Sequence, residues 1–121
     1  MITNPNKLRI NTSPVKLRVF DVIRYEFRTT TVQEAVVIQT EKGLNVCHII
    51  EQEGSEPRLG FAGTVQPSDV ISIIGSWNQS KVEEGLMRTF GENEEMRLSV
   101  RRHLGEAALQ RPITIDIAHT D

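Results

Sequence analysis

Gly43–Gly75, GLNVCHIIEQEGSEPRLGFAGTVQPSDVISIIG, is the stretch on which the reading of this chain turns. Leu44–Ile50 (LNVCHII) is a short apolar run, the pattern of a strand buried in a sheet. Glu51–Ala62 is polar and Gly-rich, and Pro57 suits the opening of a short helix. Val65–Asp69 (VQPSD) reads as a turn. Val70–Ile74 (VISII) is a strongly apolar strand that Gly75 stops. Toward the N-terminus, Glu34–Thr40 (EAVVIQT) is a strand apolar on both faces. Glu41-Lys42-Gly43 makes it a hairpin with Leu44–Ile50, with glycine supplying a positive φ.

Further out, Val15, Leu17 and Val19 alternate with polar residues, slip near Phe20–Val22, and resume at Ile23, Tyr25 and Phe27. That spacing predicts a long strand pair with a bulge or bend. Thr29-Thr30-Thr31 suits a loop or strand edge. Residues 1–14, rich in Asn, Thr, Ser and Pro, read as a flexible lead-in. On the C-terminal side, Val82, Leu86, Thr89 and Phe90 fall at helical spacing over Ser80–Phe90. Ser80 and Glu83 have the spacing of a capping box. Met96, Leu98 and Val100 alternate with polar residues and predict a half-buried strand. Gly105–Gln110 suits one helical turn, and Ile113, Ile115 and Ile117 a final strand.

The order predicts an α+β fold: a small, partly open antiparallel β-barrel of five to six strands with one main and one short helix, plus an extra C-terminal strand. The expected division is a lead-in over 1–14, a domain over 15–103 and an extension over 104–121.

Composition narrows the class of function. The chain has 121 residues, 14 Lys plus Arg against 16 Asp plus Glu, and a net charge of −2. That balance lacks the basic footprint of a nucleic-acid binder. Six aromatics, Phe20, Tyr25, Phe27, Phe61, Trp77 and Phe90, are too few for a general stacking surface. No run approaches the roughly 20 apolar residues of a membrane span. Cys47 is the only cysteine, which excludes an intrachain disulfide, and its apolar setting reads as a small buried hydrophobe. The expected location is cytoplasmic.

No motif for chemistry emerges. His48, His103 and His119 lack metal-ligand spacing, so neither a metal nor another cofactor is expected. No G-x-S-x-G elbow, P-loop or G-x-G-x-x-G is present. The pairs Glu83-Glu84 and Glu94-Glu95 read as solvated faces. Gly60-Phe61-Ala62-Gly63 lacks the flanking helices and cations of a nucleic-acid clamp. The chain is expected not to be an enzyme.

The order of elements nevertheless resembles a PDZ domain over roughly Val15–His103. Ala62-Gly63, Val65-Gln66-Pro67, Asp69-Val70-Ile71 and Gly75 fall in register with that family's central segment. Val82–Leu86 resembles the start of its groove helix, and Glu94–Val100 its closing strand. Ser68 and Ile74 replace the family's usual Gly and Asn at two turns. Thr31–Val36 lacks the glycines of the carboxylate-binding loop, and Leu59-Gly60-Phe61 matches that motif only in letters, one strand too late.

The resemblance implies a non-catalytic interaction module that binds an extended peptide by strand addition between strand 34–40 and helix 80–90. It implies a peptide site of Val32, Gln33, Glu34, Ala35, Val36, Val37, Ile38, Val82, Leu86 and Thr89. The implied partner is a protein or peptide, including a C-terminal segment with hydrophobic residues; the charge balance and hydropathy add the expectation of no nucleic acid and no membrane span. The alternative is a structural or assembly subunit whose groove is filled by its own or a neighbouring chain, with a homodimer through edge strands as one form.

Overall fold

The computed structural model describes residues 10–27, 31–91 and 93–120, so residues 1–9 of the expected lead-in and Thr29-Thr30 lie outside the described residues. The fold is α+β and its strand pairings are antiparallel. Strands β1 (Ile10–Leu17), β2 (Asp21–Phe27), β3 (Thr31–Gln39), β4 (Asn45–Gln52), β5 (Ser55–Thr64) and β6 (Val70–Ser76) come first. Helices α1 (Gln79–Phe90) and α2 (Glu94–Ala107) follow, then strand β7 (Ile113–Thr120). A five-stranded sheet runs β5-β4-β3-β2-β6, and β1 pairs with β7 in a separate ribbon.

The sheet is the middle layer. Successive residues of a strand point to opposite faces, and β3 shows what that does here. Ala35 and Val37 join Leu17, Ile23, Val46 and Ile115 in the core under the β1–β7 ribbon. Val36 joins Cys47, Leu59, Val82, Leu86 and Leu104 in the core under the helices. All three β3 residues are fully buried, which is why EAVVIQT carries no polar alternation.

Turn chemistry sets the sheet's order. Lys42 and Gly43 both adopt positive φ, 59° and 110°, between β3 and β4. That backbone matches the twist of a tight hairpin. Gln52 pairs with Ser55 across Glu53-Gly54, a two-residue hairpin, where the β3–β4 loop has five residues between Gln39 and Asn45. The short helix expected in 51–62 is therefore strand β5. Gly60 fits there because a Cβ would come within 3.0 Å of Ile50 Cδ1.

Three further expectations change. Residues 15–27 form two strands in different sheets, not one bent pair. The chain turns at Arg18–Asp21, where Asp21 Oδ2 accepts from Arg18 N at 2.8 Å and Phe20 sits at φ 77°. Residues 10–14, read as lead-in, belong to β1 in register with β7. The expected strand at Glu94–Val100 is helix α2. Asn93 Oδ1 accepts from Met96 N at 3.0 Å to cap it, and Glu94 and Glu95 favour the positive end of its dipole. Val100, Leu104 and Ala107 are the residues it buries. The capping box expected at Ser80 gives way to Asn78, whose Oδ1 accepts from Lys81 N at 2.8 Å.

The sheet does not close into a barrel, since β5 and β6 end it on either side. Among the described residues, no helix is long and apolar enough to cross a membrane.

Candidate functional site

Strand addition requires an edge strand, and β3 is an interior strand of the sheet. Its ladder with β2 covers Thr31–Val36 and its ladder with β4 covers Ala35–Gln39. The groove expected between strand 34–40 and helix 80–90 is therefore absent, and its residues scatter. Val32 is exposed near the start of β3. Gln33 Oε1 accepts from the Tyr25 hydroxyl at 3.3 Å. Glu34 pairs with Arg24 at 3.1 Å on the surface. Ala35 and Val37 face the ribbon core, while Val36 and Val82 lie in the helix core. Thr89 Oγ1 donates to the Leu59 carbonyl, and Arg88 Nη1 donates to Pro57 O at 3.0 Å. Those two contacts place α1 against β5 and engage its outward carbonyls, a means of blunting a sheet edge.

Only Ile38 and Leu86 of the expected set meet at a cavity. It is a cleft of about 300 Å³ between the inner face of α2, the end of α1 and strands β3–β5. Ile38, Cys47, Leu86, Val100 and Leu104 form its floor and sides. Phe61, Phe90, Met96, Ser99 and His103 complete it. Phe61 is 80% exposed and meets Phe90 at 5.3 Å between ring centroids, tilted by 57°.

Two sets of contacts hold α2 over the sheet. Midway along it, Arg101 grips Glu83 of α1 through Nε and Nη2 at 2.9 and 3.0 Å. Arg97 Nη1 reaches Glu83 at 2.8 Å and Glu84 at 2.6 Å. The Arg101 hydrogen bonds hold the buried Glu83 carboxyl down at about 2, against burial, which pushes it up, and with help from Arg97. Just past its end, Gln110 Oε1 accepts from Thr40 N and Glu41 N at 2.9 and 3.0 Å. Thr40 Oγ1 donates to Arg111 O at 2.6 Å.

Close approach on the other side is set by Gly85. A Cβ there would lie 3.0 Å from Leu59 Cγ and 3.3 Å from Trp77 Cζ3. Trp77, whose place the sequence leaves open, thus packs beside α1, with Lys81 Nζ 4.4 Å from its ring centroid.

The cleft's chemistry is that of hydrocarbon. Burial pushes the Cys47 thiol up to about 11, so it stays protonated and a poor nucleophile. His103 Nδ1 lies 2.7 Å from Ser99 O, a bond within its own helix. Among the described residues, no group of three or more His, Cys, Asp or Glu is placed to hold a metal ion. The sequence reading placed Cys47 and Phe90 in the core and did not single out Phe61, Met96, Ser99, Val100, His103 or Leu104 as residues of such a cleft. The spacing of Val100, Leu104 and Ala107 was the available signal. Compared with known proteins, the chain matches no family model, no curated protein and no solved structure.

Proposed function

We propose that this chain is a non-catalytic protein-interaction module that docks an extended partner segment by taking its apolar side chains into the cleft beneath α2. The observation that carries this reading is the cleft itself: about 300 Å³ of apolar space under α2, with Phe61 exposed at its rim. That volume is at the lower end for ligand sites, roughly 300–1,000 Å³. It suits one or two large side chains. Burying one such side chain contributes roughly 1.5–3 kcal/mol. Micromolar affinity corresponds to about 8 kcal/mol, so the Phe61–Phe90 rim must supply contacts as well.

Peptide display on the immobilised protein tests this. Enriched sequences should share a Leu, Phe or Trp anchor and lose binding to Ser99→Trp, which fills the cleft. Equal binding to Ser99→Trp and wild type would rule out the cleft as the dock.

A second reading, an assembly subunit joined through strand edges, is favoured by β6. Among the described residues β6 pairs only with β2, and VISIIGS carries no charge. Two residues of β6, Ile71 and Ile74, have no opposite number in β2 and bulge out of register. Bulges hinder edge pairing, which ranks this reading second. Light scattering over a concentration series separates the two: a strict monomer eliminates the assembly reading.

A further inference from the structure

A second hollow continues the cleft. It has a volume of about 280 Å³ and shares Ile38, His103 and Leu104 with the first. Its remaining wall includes Gln39, Glu106 and Gln110. Gln110 accepts through Oε1 from Thr40 N and Glu41 N, which leaves its Nε2 to donate, and the other polar side chains there accept. Gln39 directs its Nε2 amide to the carbonyls of Lys42 and Gly43 at 3.3 and 3.5 Å, which leaves its Oε1 to accept. A carbonyl only accepts, so the 2.7 Å contact of His103 Nδ1 with Ser99 O needs a proton on Nδ1. The neutral ring then presents Nε2 as an acceptor. Glu106 adds an exposed carboxylate. Three acceptors, one of them charged, line a hollow that opens from an apolar one.

Resting on the docking reading above, we propose that the segment bound under α2 carries a basic residue two or three positions from its apolar anchor. The spacing follows from α2. Its residues in the second hollow are centred about four to five positions beyond those in the first, with His103 and Leu104 shared, about 7 Å at 1.5 Å per residue. An extended chain covers that in two to three residues at about 3.3 Å each. Lys or Arg supplies donors only, the complement of Gln39 Oε1, His103 Nε2 and the Glu106 carboxylate.

The test uses capped, fluorescently labelled peptides with one Trp anchor in a Gly/Ser background. Lys, Gln or Glu is placed at the second or third position on either side. Anisotropy titrations at pH 7.5 and low salt should show the best Lys peptide binding about fivefold tighter than its Glu counterpart, the scale of an exposed ion pair. Glu106→Lys should reverse that order while the Gln peptide keeps its affinity. Lys and Glu peptides that bind wild type equally would overturn the basic-residue proposal and leave the docking reading standing. No binding by any Trp peptide, with circular dichroism confirming the fold, would overturn both.

Discussion

The two faces of the sheet are built from the same short aliphatic residues and end up packed differently. On the ribbon face, Leu17, Ile23, Ala35 and Val37 are fully buried and Ile115 closes over them. On the helix face, Val36, Leu59 and Val82 are as deeply buried, yet the cleft opens beside them. The difference lies in the covering element. A ribbon in register with itself from Leu17–Ile113 to Ile10–Thr120 can follow the sheet's twist. Helix α2, held to α1 by Arg97 and Arg101 and to the sheet just past its end, leaves the cleft beneath it. One face is spent on stability, and the other keeps part of its apolar surface for something else.

The largest expected effect breaks this comparison if it fails. Ile23→Ala on the ribbon face should cost about 3 kcal/mol in urea denaturation, as for a well-packed core. Leu86→Ala on the cleft wall should cost about half of that, because its neighbours are already incomplete. Equal losses would mean that the two faces are packed alike.

Next comes the clamp that holds α2. Glu83→Gln should cost about 1–2 kcal/mol at pH 7, discounted because Arg97 and Arg101 remain partly in water. The sign with pH follows from a folded-state value near 2 against an ordinary 4.5. The folded state holds its carboxylate more strongly, so this contribution is full above about pH 4.5 and is lost as pH falls toward 2. The wild type should therefore lose more stability over that window than Glu83→Gln does.

Gly85→Ala sharpens the role of close approach. Helix propensity favours alanine by about 1 kcal/mol. Overpacking against Leu59 and Trp77 costs about 1–3 kcal/mol. A net loss of about 1 kcal/mol is expected, and a net gain would show that α1 can shift outward. The smallest effects concern the cleft. Phe61→Ser should change stability by less than about 0.5 kcal/mol. Ser99→Leu should raise the thermal midpoint slightly, by filling space.

Legibility from sequence followed the same division. The doubly buried strand, its hairpin partner, the strand at 70–74 and the helix at 79–90 are written in apolar runs and turn residues that local pattern exposes. Helix α2 was hidden because Met96, Leu98 and Val100 alternate by accident: Met96 and Leu98 are exposed, and only Val100 continues with Leu104 and Ala107. Strand β5 was hidden because SEPRLGFAGT is poor in β-branched residues. Its place comes from the Glu53-Gly54 turn and from α1 against its outer side. Misplacing those two elements made β3 an edge, whereas it lies inside the sheet between β2 and β4. Ile38 and Leu86 survived because they face the helix layer in either arrangement. No local pattern announces a cleft that arises from a helix tied down at Glu83 and Thr40.

The central claim is that this cleft accepts an apolar side chain. A methyl-resolved NMR titration with N-acetyl-tryptophanamide, a minimal anchor, tests it most directly. The predicted result is saturable shifts at Ile38, Leu86, Met96, Val100 and Leu104, with Ile23, Val37 and Ile115 unmoved. Shifts confined to Ile71 and Ile74 of β6, or none at the cleft methyls up to the solubility limit, would contradict it.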